Sequence, residues 1–333
     1  MKLAGLLHVV TCVFPFACLG MTTSQCTEES SFFQVRDERV RPKPHSDGLY
    51  YPFVNAGAKA SFFQLANPSS LRLSCRWATP TFGTMKGYSK IHAVLEEADR
   101  LQASSLPGDI VEAGVAGGGG VLPVIFYLAC TGDLAQRTVH LFDTWEGLAP
   151  TKSDPGFHNG DYHIGYNAFM ANVKEYKNAY NQQVAALNLS LSWDEAWTHV
   201  NIVKGLFADT MPGALAGRTL SLLMCDGDMY SSTKDCLTAA AGLVIDGGTI
   251  YNDDYYTFAG CYQAMHEYNR LPDNDTRYTV LLVPNIPENN SEHGEFTYMA
   301  EDGSSCTPPL DNSPGGRGSC NSVEAEAALM RLM

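Results

Sequence analysis

The chain has 333 residues, and its 22 basic against 36 acidic side chains give a formal charge of −14. Such a charge offers no general attraction to a phosphate backbone and excludes a nucleic-acid binder; 45% apolar residues exclude a disordered chain. Past the first twenty positions no apolar run approaches the roughly 20 residues that span a bilayer, so an integral membrane protein is excluded apart from an N-terminal anchor.

Residues 1–20 have the layout of a signal sequence, with Lys2 before an apolar stretch at 3–19 and Gly20 after it, although His8 and Pro15 interrupt the stretch. Entry into the secretory pathway is the expectation, and a cytoplasmic protein the alternative if the segment is not a signal. Of the ten cysteines, Cys12 and Cys18 lie in this segment, and the even number left suits an oxidising compartment. Cys130, Cys225, Cys236 and Cys261 fall in apolar, core-like runs, where free buried cysteine is common. Cys306 and Cys320 flank a Pro/Gly-rich stretch and are the expected disulfide pair. No CxxC occurs, which argues against a thiolate zinc site.

An irregular extension over 21–84, with the aromatic pairs Phe32-Phe33, Tyr50-Tyr51 and Phe62-Phe63, is expected to lie over the main domain at 85–300. There Ile91, Val94, Leu95, Ala98 and Leu101 recur at helical spacing and predict a helix over 85–104. Pro107-Gly108 stops it ahead of a strand at 109–113. A helix at 119–130, a strand at 138–142 and a helical segment at 165–187 come next. Strands at 199–203 and 219–225, a helix at 231–243, a strand at 247–251 and a helix at 257–270 continue the alternation. It predicts an α/β fold with a mostly parallel sheet covered on both faces. Strands at 278–283 and 295–299 have no helix between them and predict a closing antiparallel hairpin. Residues 301–333 are expected to be a flexible tail.

Three motifs carry chemistry. Glu112-Ala113-Gly114-Val115-Ala116-Gly117-Gly118 follows the first strand and opens a helix, so its glycines let the backbone turn tightly beside a ligand. A dinucleotide fingerprint would need glycine where Ala116 stands, and Glu112 would repel a pyrophosphate but suits a cationic amino or sulfonium group. Asp143 ends the second strand, where a carboxylate can accept from both hydroxyls of a ribose or, alternatively, cap a helix. Asp226-Gly227-Asp228 and Asn252-Asp253-Asp254 end two adjacent strands at the edge where open α/β sheets bind ligands. Doubled acids there repel one another unless a cation intervenes, and oxygen ligands without thiolates favour Mg²⁺.

These motifs, in the runs 107–148, 204–212, 226–235 and 252–268, resemble the macrocin O-methyltransferases, S-adenosylmethionine-dependent enzymes that methylate a sugar hydroxyl with Mg²⁺. The resemblance covers about residues 84–300 and implies a Rossmann-like class I methyltransferase fold with a seven-stranded, mostly parallel sheet. It implies that Glu112, Gly114, Val115, Gly117, Asp143, Thr144 and Asp226 hold S-adenosylmethionine. It further implies that Asp226, Asp253 and Asp254 hold Mg²⁺, and that a histidine after the second strand is the general base. His158 and His163 are the candidates, His163 lying nearer the next helix. The implied acceptor is a small-molecule or glycan hydroxyl, probed against a catechol; homo-oligomerisation stays open. The competing readings are a nicotinamide oxidoreductase, which the Ala116 position and the acid pairs oppose, and a non-catalytic glycan-binding module on the same fold.

Overall fold

Short apolar runs that each end in an acid or a glycine alternate with amphipathic segments, and the chain folds accordingly. The computed structural model describes residues 71–270, 278–284, 299–300, 306–307, 319–320 and 325–332. Helices α1 (Leu71–Ala78) and α2 (Tyr88–Ala103) precede β1 (Asp109–Ala113). Then come α3 (Val121–Thr131), β2 (Val139–Asp143), α4 (Tyr166–Leu187), α5 (Trp193–Trp197), β3 (Val200–Lys204) and α6 (Phe207–Ala214). They are followed by β4 (Leu220–Cys225), α7 (Tyr230–Ala240), β5 (Val244–Asn252) and α8 (Ala259–Asn269). The C-terminal part adds β6 (Tyr278–Pro284), β7 (Met299–Ala300), β8 (Cys306–Thr307), β9 (Ser319–Cys320) and β10 (Ala325–Leu332).

One sheet runs in the order β3-β2-β1-β4-β5-β10-β6-β7. Strands β1 to β5 are mutually parallel, and β10, β6 and β7 pair antiparallel. Period-two alternation divides the core between the two faces. Ile110, Leu222, Met224 and Leu329 belong to the layer built with α1 to α5. Val111, Leu223, Ile250 and Met330 belong to the layer built with α6 to α8. The order reverses between β1 and β4, which opens a crevice at their carboxyl ends.

Three expectations need correction. The tail at 301–333 contains β10, an interior strand whose Ala327, Ala328, Leu329 and Met330 are fully buried. Among the described residues the sheet therefore has eight strands, and β6 pairs along its length with β10. It meets β7 only at Leu281↔Ala300 and Leu282↔Met299. The extension at 21–84 ends in the helix α1. Cys130, Cys225 and Cys236 are not free: Cys75 of α1 is bridged to Cys130 of α3, and Cys225 of β4 to Cys236 of α7. An apolar context records burial and says nothing of a partner, which here arrives by helix packing. Cys261 is free and buried, as expected. Cys306 and Cys320 are register partners in the β8–β9 ladder; their side chains, the segment 1–20 and the extension 21–70 lie outside the described residues. No helix among the described residues is long and apolar enough to cross a membrane.

Candidate active site

The ends of β1, β2, β4 and β5 surround a cavity of about 690 Å³, within the usual range for a ligand site. Its first wall is the turn after β1. Gly114 has φ +97°, and a Cβ there would overlap the Asp226 carbonyl, so only glycine lets β1 and β4 diverge this closely. Asp143 organises the turn: its Oδ2 accepts from the backbone N–H groups of Val115 and Ala116, both at 2.7 Å, and its Oδ1 from that of Trp145 at 2.5 Å. A carboxylate offers about four lone-pair sites, so capacity remains toward the cavity that Asp143 lines. Val115, Gly117 and Thr144 line the same wall, and Thr144 Oγ1 donates to the Gly147 carbonyl at 3.2 Å.

Glu112 is placed differently from expectation. It is 1% exposed and sits behind the glycine turn rather than on the cavity wall, with Oε2 lacking a hydrogen-bond partner. Burial pushes its pKa well up, against the pull of the Lys86 ammonium. The cation it meets is therefore one of the chain's own. Glycines 119 and 120 explain how: a Cβ at Gly119 would overlap Thr84, and one at Gly120 would overlap Lys86 and Glu112. The segment before α2 lies directly on the turn and delivers Lys86 to the acids.

Lys86 pairs with Asp226 and, at 3.0 Å, with Asp253 Oδ1. Lys90 reaches Asp253 Oδ2 at 2.9 Å and Asp254 Oδ1 at 3.6 Å, and Tyr251 donates to Asp253 Oδ1 at 2.5 Å. These donors leave the acids unequal. Burial would raise Asp253, but Lys86, Lys90 and the Tyr251 hydroxyl hold it below the ordinary range. Asp226 is raised to about 7 by burial and then by Asp253, against Lys86. Asp228 is pushed well up by burial and by Asp254. Asp254 is also raised, since burial and Asp253 outweigh Lys90. Asp226, Asp228 and Asp254 present carboxylate oxygens within 4.8 Å of one another. This trio is short of positive charge and consists of hard oxygen donors, a set that fits a Mg²⁺ ion. Of the three expected ligands, the structure brings Asp226 and Asp254 together with Asp228; Asp253 lies between Lys86 and Lys90, and Asp226 is itself paired with Lys86.

The histidine expectation is not met. His158 is 83% exposed and faces Asp161 at 3.5 Å, and His163 is exposed. Neither lines the cavity, although Tyr162 and Ile164 do. The loop folds back on itself through Leu148 N–H to Asp161 O and Gly160 N–H to Leu148 O, both 2.9 Å, and both imidazoles are left on the solvent side. Sequence reasoning missed Lys86, Lys90 and Tyr251, and passed over Asp228 within its own motif. One signal was available for the lysines: two cations four apart at a helix start oppose the helix dipole and call for nearby anions. Asp154 was also missed. This buried loop acid accepts from Ser231 N–H at 3.0 Å and Ser231 Oγ at 2.7 Å, tying the loop to α7.

The profile described as Macrocin-O-methyltransferase (TylF) matches residues 23–276. The chain is 31% identical over 194 residues to the 8-demethyl-8-(2,3-dimethoxy-alpha-L-rhamnosyl)-tetracenomycin-C 4'-O-methyltransferase of Streptomyces olivaceus, covering 56% of this chain and 67% of that protein. It is 29% identical over 185 residues to the demethyldecarbamoylnovobiocin O-methyltransferase of Streptomyces niveus, again covering 56% and 67%. Among solved structures, that of the O-methyltransferase NovP is 27% identical, with a TM-score of 0.45 over 56% of this chain and 74% of that one.

Proposed function

The chain belongs to the macrocin-O-methyltransferase (TylF) family, and from that premise we propose that it moves the methyl group of S-adenosylmethionine to a hydroxyl oxygen of a sugar or glycoside. The observation that carries the reading is the joining of two features in one cavity: the glycine turn bracketed by Asp143, and the charge-deficient acid trio. The tetracenomycin relative named above has a rhamnosyl group in its name, which favours a sugar over a catechol acceptor.

When bound, S-adenosylmethionine supplies an electrophilic methyl on a sulfonium, and Mg²⁺ supplies charge that lowers the pKa of an acceptor hydroxyl. The chain supplies the rest. Val115, Gly117, Asp143 and Thr144 would hold the cofactor along the turn, with Gly114 shaping it. Asp226, Asp228 and Asp254 would hold the cation, and Asp253 anchors Lys86 and Lys90 beside it. Alignment of acceptor oxygen and methyl is the main catalytic device such a site offers. With no histidine on the cavity wall among the described residues, the strand-end acids are what the chain offers as proton acceptors.

Two buried disulfides favour an oxidising compartment and support the reading of residues 1–20 as a secretory signal. The acceptor class is tested by methyl transfer from labelled S-adenosylmethionine across free sugars, glycosides and catechols. Transfer to sugars or glycosides is expected; transfer confined to catechols would replace the sugar reading, and none to any acceptor would favour a binding module.

A further inference from the structure

The loop between Cys225 and Cys236 holds an arrangement that its own local chemistry opposes. Seven of the ten residues between these cysteines line the cavity, and two of them are acids of the trio. Asp228 has φ +60°, a left-handed conformation costly for a residue with a side chain. Its carboxyl also faces those of Asp254 and Asp226. Backbone strain opposes the loop's place at the cavity, and so does like charge once the carboxyls ionise to take a cation.

The Cys225 end is fixed firmly. The Cys225 carbonyl accepts from Asn252 Nδ2 at 3.1 Å and from Asp253 N–H at 3.4 Å, and the next residue, Asp226, donates its N–H to the Ala113 carbonyl at 2.8 Å. Cys225 is thus the point where β1, β4 and β5 meet at the site. The bridge ties that point to the second turn of α7, with the Cα atoms 6.1 Å apart. Both cysteines are fully buried. Ser232 Oγ, donating to the Gly227 carbonyl at 2.5 Å, and the Asp154–Ser231 clasp hold the middle of the same loop.

We propose that the Cys225–Cys236 disulfide is a positioning element of the methyl-transfer site, holding Asp226 and Asp228 against their repulsion in the geometry that takes a divalent cation. The inference rests on the functional reading above. The second disulfide is an internal control: Cys75–Cys130 joins α1 to α3, and neither cysteine lines the cavity. The test compares Cys225→Ala/Cys236→Ala with Cys75→Ala/Cys130→Ala. Calorimetric Mg²⁺ and S-adenosylhomocysteine affinities are measured on each full chain well below its own melting temperature.

The 225/236 variant is expected to bind Mg²⁺ at least tenfold more weakly than wild type, and the 75/130 variant to bind it within twofold while melting lower. If the 225/236 variant does not fold, Cys225→Val/Cys236→Ala refills the apolar volume without a bridge and should show the same loss. Wild-type Mg²⁺ affinity in either 225/236 variant would overturn the positioning role and leave the site's reading intact. A wild-type protein that binds neither Mg²⁺ nor S-adenosylhomocysteine would remove that reading and the positioning role with it.

Discussion

Lys86 shows how a single side chain sets the state of the site. Its ammonium is buried among Asp226, Asp253 and Glu112, whose attraction outweighs the burial that would otherwise lower its pKa. Removing one partner of a buried ion pair leaves uncompensated charge and costs about 3–5 kcal/mol. Lys86→Met is therefore expected to lower unfolding stability in chelator by about 3 kcal/mol. Added Mg²⁺ should restore much of that loss, because a divalent cation can replace the missing charge. Thermal unfolding with and without Mg²⁺ checks this; an equal loss in both conditions would show that the trio does not take the ion. At this scale the acids were legible in the sequence, since aspartates doubled at two strand ends have few structural explanations. The lysines were not, because their role depends on glycines 119 and 120 admitting a distant segment.

Among the elements, β1 to β5 and the helices α2, α3, α4, α7 and α8 were legible because each carries its own period, whereas α5 and α6, of five and eight residues, were too short to show one. β10 was not. Its burial depends on both neighbours, β5 and β6, and no local signal shows a gap waiting between them. Its Arg331 pairs with the buried Glu97 of α2, so the strand is fixed to a helix as well as to the sheet. Full burial of Leu329 and Met330 contributes about 1.5–3 kcal/mol each. A chain ending at residue 324 should accordingly lose cooperative unfolding or fail to accumulate as soluble protein. A sharp melting transition in that truncation would contradict an interior role for β10. The Cys75–Cys130 disulfide escaped detection for the same reason as β10: its cysteines, 55 residues apart, meet only once α1 packs on α3.

For the whole molecule, stability should depend on pH through His92 of α2. Burial, and then the Arg76 guanidinium beside it, lower its pKa from 6.5 to about 3. The folded protein thus binds fewer protons at this group than the unfolded chain does. Its contribution is complete above about pH 6.5 and is lost progressively as pH falls toward 3. Between pH 6.5 and 5 the loss is about 2 kcal/mol. Urea unfolding of His92→Gln over this interval should show a shallower decline than wild type, since glutamine does not titrate. Parallel slopes for the two proteins would remove His92 as the source.

At this scale too, motif order along the chain identified the family. Where the loop places His158 and His163 was not legible, because a histidine in the right loop says nothing about which way the loop presents it. That the four strand ends form one cation-dependent methyl-transfer site is the proposal on which the others depend. It is tested most directly by the rate of methyl transfer from labelled S-adenosylmethionine to a glycoside acceptor, measured in excess chelator and again after Mg²⁺ is added back. Transfer should be abolished by chelator and restored by Mg²⁺; full transfer in chelator would contradict a cation-dependent site.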